Sequence, residues 1–165
     1  MKNHMMPVLA ALLSGLLLSA CEEGAAPAGA QAPALGVAAE VDAGPLDRKL
    51  DPAQIARGKT VFEQNCAVCH GAQGKGLSGD WRVRDAQGNS PPPPLDDSAH
   101  AWHHPTKVLM KVVRDGSPGG MGNMPAWKDK LSEAQIEDVV VYIKSLWSDP
   151  VYRLWMKMEQ QSLEP

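Results

Sequence analysis

Residues 66–70 read Cys-Ala-Val-Cys-His. On a helical turn, positions i, i+3 and i+4 share one face, so two thiols and an imidazole grip a single object from one side. Cys-x-x-Cys-His reads as a c-type haem attachment site. Cys66 and Cys69 would bond the two vinyl-derived carbons of one porphyrin, and His70 would reach the iron from the same side. A covalent link also keeps a cofactor from washing out of an exported protein. Three other readings stay open on the residues alone. A thioredoxin-like redox pair calls for a preceding strand and a βαβ setting. A zinc site needs a fourth ligand, which His100, His103 or His104 could supply. A disulfide between Cys66 and Cys69 leaves His70 unexplained.

The chain around this motif reads as helical with long loops. DPAQ at 51–54 sets Asp51 as N-cap, Pro52 at the first helical position and Gln54 at the third. A helix follows through residue 65, with Ile55, Lys59 and Phe62 on one face and Gly58 making room for a close neighbour. From 71 to 98 no periodicity is visible, and glycines 71, 74, 76 and 79 with the PPPP run at 91–94 predict irregular loop. A second helix is predicted from Pro105, striped by Val108, Leu109, Val112 and Val113 and closed by Gly116. A third is predicted from an N-cap at Ser132 with Gln135 as capping-box partner. It buries Ile136, Val139, Val140, Ile143 and Leu146, and Asp149-Pro150 stops it. Val151, Leu154, Trp155 and Met158 then repeat at helical spacing. The expected class is all-α: three to four helices, with long irregular loops that something must organise, plus a C-terminal amphipathic extension over 149–165.

The first 20 residues read as an export signal, because a positive start precedes an apolar run too short for an ordinary membrane span. The run ends in LSAC at 18–21, which resembles the lipobox of bacterial lipoproteins, with Cys21 as the lipidated residue. An ordinary signal cleaved near Ala20 is the other reading. Residues 21–50, rich in Ala, Pro and Gly, are expected to form a flexible tether reaching roughly 30 Å. Order is expected from Asp51, and a domain over 51–148. The net charge of −3 offers no basic surface to nucleic acid. Loss of the signal removes Lys2 and leaves 15 basic against 19 acidic residues.

RGKTVFEQNCAVCHGAQGKG, a Pro-Leu pair, NMPAW and a C-terminal helix with VVVYIKSL together resemble a class I cytochrome c over roughly residues 52–148. The resemblance implies one covalent haem c per chain, with His70 as proximal and Met124 as distal ligand. It implies that a loop proline carbonyl, assigned to Pro94 before Leu95, holds the other nitrogen of His70. It implies that Trp127 packs beside the haem, and that Gly58, Phe62 and Tyr142 form the crossing of first and last helices. A His/Met pair raises a haem potential and fills both axial positions, so the resemblance implies an electron carrier rather than an enzyme. Met121 is the competing distal ligand. The glycines of GGMGNMPAW at 119–127 would let the backbone bend over a flat porphyrin.

The expected function is single-electron transfer between redox protein partners, on the periplasmic side of a bacterial membrane and anchored through Cys21. Glu22 after the cysteine points, by family analogy, to the outer membrane. Two alternatives remain at this point. His100 and His104, spaced i, i+4 in HAWHH, could chelate copper in a binding or sensing module. A haem peroxidase would result if Met124 left the iron. Basic and acidic residues balance within 51–148, so net charge selects no partner.

Overall fold

The computed structural model describes residues 46–77, 79–120 and 122–164, together with Gly44. The expected signal, the lipidation at Cys21, most of the tether and Met121 lie outside the described residues. Among the described residues there are five α-helices and no strand beyond one isolated bridge, Ser90 to Gly122. The all-α expectation is met.

Helix α1 runs Pro52–Asn65. Asp51 caps it by accepting from the Ala53 N–H at 2.9 Å, and Pro52 needs no partner in the first turn. Gln54 does not close a capping box; its side chain lies near enough to Asp138, across the helix crossing, to help lower that carboxyl. Packing begins before the cap, which corrects the expected limit of the tether. Leu46 and Leu50 lie on the core, and Arg48 sits 4.7 Å above the Tyr152 ring while pairing with Asp149. Those long-range partners order a stretch whose composition alone reads as free chain.

Helix α1 ends at Cys66, whose φ of −109° breaks the register. The chain then re-enters a single turn, α2 at Ala67–His70. Helix α3 covers Thr106–Asp115, one residue later than expected because Pro105 serves as N-cap. Helix α4 covers Glu133–Ser145 and carries the full capping box: Gln135 N–H to Ser132 Oγ at 3.3 Å, and Ser132 N–H to Gln135 Oε1 at 2.9 Å.

Helices α1 and α4 make the main crossing. At its centre Gly58 lies flat on the Asp138 carbonyl. One turn on, the Phe62 and Tyr142 rings meet at 5.2 Å, tilted by 54°. Ile136, Val139 and Val140 fill the space beneath. Arg57 clamps the crossing from outside with two bonds to Asp138, 2.9 and 3.2 Å long. Asp138 is 6% exposed, and the Arg57 fork holds its carboxyl below the ordinary carboxylate value. A carboxylate depressed in the fold contributes stability above its unfolded value, and that contribution drains as pH falls through the folded one. Asp138→Asn is therefore expected to lower the urea midpoint at neutral pH, with the two proteins converging as pH falls below the ordinary carboxylate range. A gap unchanged down to acid pH would show that the charge is not what the clamp uses.

Helix α5 runs Asp149–Leu163, longer than the expected stripe. Helix α4 ends at Ser145, ahead of the expected Asp149-Pro150 stop, and Pro150 instead sits in the first turn of α5, where its ring is tolerated. Tyr152 and Trp155 are buried and join Trp147 in an aromatic cluster, with ring centroids 4.9 to 6.4 Å apart. Leu154 was expected on this face but is 51% exposed. The 3.6-residue period that aligns 151, 155 and 158 also brings in 152 and turns 154 outward. Lys144, buried beneath the cluster, lies 4.6 Å from the Trp155 ring, and Trp155 Nε1 donates to the His104 carbonyl at 3.2 Å.

Candidate haem site

The turn at α2 sets the three chemical groups. His70 N–H donates to the Cys66 carbonyl at 2.9 Å, so the motif closes as one helical turn. Cys66 is half-buried, Cys69 exposed and His70 buried. Burial, with Cys69 alongside, pushes the Cys66 thiol up to about 11. A thiol held protonated is a poor exchange nucleophile, and no strand precedes it among the described residues; the redox-pair reading therefore loses its support. Among the described residues no three His, Cys, Asp or Glu side chains gather as a metal-holding group, which argues against zinc.

His70 Nδ1 lies 2.8 Å from the carbonyl oxygen of Pro93. A carbonyl only accepts, so Nδ1 carries the proton and Nε2 the lone pair. Burial lowers the ring's pKa, against the pull of the Pro93 bond. The ring is thus neutral and fixed, which is the state of a metal-ligating imidazole with its other nitrogen held. Nε2 has no hydrogen-bond partner among the described residues, and it is not sealed from the surface. These three side chains fit a covalently held haem, with the thiols and one nitrogen lone pair available from a single turn.

The carbonyl belongs to Pro93, not to the expected Pro94. Prolines have no N–H, so the run cannot fix its own register. The first N–H after it, at Leu95, donates to the Gly74 carbonyl at 2.6 Å, and the Leu95 carbonyl accepts from Trp147 Nε1 at 2.9 Å. These bonds seat Pro94 over Gly76, where a Cβ on the glycine would meet the proline Cγ at 2.9 Å. Pro93 is left facing His70. Gly71, at φ +75°, lets the loop double back so that Gly76 N–H reaches the His70 carbonyl at 2.7 Å.

On the far loop Met124 is half-buried and packed on the core. Its N–H donates to Ser117 Oγ at 3.1 Å, and its carbonyl accepts from Ser117 N–H at 3.0 Å. Trp127 N–H bonds the Val113 and Arg114 carbonyls at 3.2 and 3.1 Å, and Lys130 sits 5.3 Å from the Trp127 ring. Ser117, Pro93 and Trp147 were not legible as site residues. Each acts through the backbone or across more than 20 positions, or both, and leaves no local signal.

HAWHH packs as aromatics. His100 stacks on Trp81 at 5.1 Å and meets the edge of His104 at 5.7 Å, while His103 lies 3.7 Å from Trp102. Burial, then the neighbouring histidines, lower the pKa values of His100 and His104. Several basic side chains are engaged locally: Arg82 on Asp80 and Trp81, Arg84 on the Gly88 carbonyl, and Lys128 near Asp115.

The sequence profile of the family described as "Cytochrome C oxidase, cbb3-type, subunit III" matches residues 53–143. The Cbb3-type cytochrome c oxidase subunit CcoP of Azospirillum sp. (strain B510) is 36% identical over 98 residues, covering 58% of this chain and 30% of the relative. The cytochrome bc1 complex cytochrome c subunit of Corynebacterium diphtheriae is 31% identical over 107 residues, covering 64% of this chain and 32% of the relative. Among solved structures, cytochrome CL of Methylophaga aminisulfidivorans aligns over 70% of this chain and 68% of its own, at 21% identity and a TM-score of 0.47. The matches thus span about 30% of the length of these curated relatives. With the family profile covering more than half of its residues, the chain belongs to the cbb3-type cytochrome c oxidase subunit III family, and it is a c-type cytochrome that carries covalently bound haem.

Proposed function

We propose that this protein is a one-electron carrier with a single haem c, attached through Cys66 and Cys69 and ligated by His70 and Met124. When bound, the haem supplies a one-electron iron couple. The observation that carries the reading is the Pro93 carbonyl 2.8 Å from His70 Nδ1, since it leaves the Nε2 lone pair available for ligation. Met124, on the loop tied to the end of α3, supplies a neutral thioether that favours the reduced iron. With His70 and Met124 both holding the iron, no position on it would be left for a substrate. The exposed Val68, next to Cys69, is 76% accessible and supports apolar contact with a partner at this edge. Relatives named as oxidase and bc1-complex subunits support redox protein partners, with the donor and acceptor left open.

The N-terminal reading completes the proposal: export, lipidation at Cys21 and residence on the periplasmic side of a membrane. No helix among the described residues is long and apolar enough to cross one. The test is a pyridine haemochrome assay on protein extracted with acidic acetone. One haem per chain should survive extraction, and a reductive titration should take one electron. Loss of all absorbance on extraction would sink the attachment at Cys66 and Cys69. Fractionation of cells should find the protein with membranes, and Cys21→Ser should release it.

A further inference from the structure

We infer that Ser117 is the positioning residue for Met124, holding its backbone in register for ligation. The inference rests on the reading of Met124 as the sixth ligand. Ser117 contacts Met124 twice: its hydroxyl accepts from the Met124 N–H at 3.1 Å, and its own N–H donates to the Met124 carbonyl at 3.0 Å. The pair of bonds fixes both polar groups of residue 124 whatever its side chain does.

The backbone around this clasp leaves little play. Gly116 sits at φ +83°, and a Cβ there would lie 2.6 Å from the Met124 carbonyl oxygen and 3.0 Å from the Ala126 nitrogen. The end of α3 and residues 124–126 are therefore in direct main-chain contact. Gly122 covers the other side of the hydroxyl, since a Cβ on it would come within 3.0 Å of Ser117 Oγ. Three and four residues beyond Met124, Trp127 and Lys128 donate to carbonyls at the end of α3. The returning chain is thus tied down at 124 and again at 127–128, and Ser117 supplies the first tie.

A thioether is a soft, weakly basic ligand, so its hold on oxidised iron depends on being placed in advance. Once the clasp loosens, more conformations compete with the ligating one and an external base displaces the sulfur more easily. Ser117→Ala keeps the N–H bond to the Met124 carbonyl but strands the half-buried Met124 N–H.

The experiment is an imidazole titration of the oxidised holoprotein, followed by loss of the weak sulfur-to-iron charge-transfer band in the near infrared. Ser117→Ala is expected to bind imidazole about tenfold more tightly than the wild type. Ser117→Thr, which retains the hydroxyl, should return to the wild-type value. Far-UV circular dichroism in guanidinium measures global stability alongside. A lower unfolding midpoint for Ser117→Ala with unchanged imidazole affinity would make the residue merely structural and overturn the inference. Met124→Ala is the control. If it keeps the band, the ligand assignment itself has failed and the inference goes with it. If it loses the band while Ser117→Ala behaves as wild type, only the inference fails.

Discussion

Gly58→Ala is expected to destabilise the protein by about 3 kcal/mol, although alanine is the better helix former by about 1 kcal/mol at an unconstrained position. The reversal comes from what the new methyl group would meet. It would overlap the Asp138 carbonyl oxygen and come within 2.6 Å of the carbonyl carbon and 2.8 Å of the Tyr142 Cβ. None of these atoms can rotate away. The helices must separate instead, which pulls on the Phe62–Tyr142 ring contact and on the two Arg57–Asp138 bonds. Overpacking of this kind is relieved by moving whole elements, and well-packed interiors resist that. Guanidinium unfolding of the holoprotein, followed by far-UV circular dichroism, measures the cost. A midpoint equal to or above the wild type would mean that the crossing is looser than the geometry indicates.

Met124→Ala is expected to abolish the sulfur-to-iron band and to lower the reduction potential by an amount on the order of 100 mV, within the range over which axial ligands tune haem. Water or an external base would take the vacated position, and either favours the oxidised iron more than a thioether does. Met121→Ala should leave both quantities near their wild-type values. Redox potentiometry with visible and near-infrared spectra on both variants decides between the two methionines. The reverse pattern would move the assignment to Met121 and remove the basis for the Ser117 clasp.

The comparison of two glutamines shows what was legible in the sequence. Asp-Pro-Ala-Gln and Ser-Glu-Ala-Gln both begin helices, and both read as caps. Gln135 closes its box, while Gln54 does not and lies instead toward Asp138, 84 positions away. Helix starts were readable because cap and backbone lie within four residues. The motif at 66–70 was readable because covalent attachment fixes its spacing. What escaped was set across the fold: the proline register by Leu95, Gly74 and Trp147, the packing of residues 46–50 by Tyr152 and Asp149, and the Ser117 clasp by a main-chain approach. HAWHH was legible only in part, because i, i+4 spacing shows that His100 and His104 lie near one another but not that Trp81 stacks on His100.

The tetraproline run has one more consequence. Each pyrrolidine ring locks φ and restricts the residue before it, so this stretch is nearly as stiff in the unfolded chain as in the fold. Little disorder is lost when the Pro93 carbonyl comes to rest on His70. Once there, it has few soft torsions through which to follow a change of charge at the ring. A buttress of that kind limits the nuclear rearrangement that accompanies gain or loss of an electron, and a small rearrangement is what lets exchange between partners run quickly.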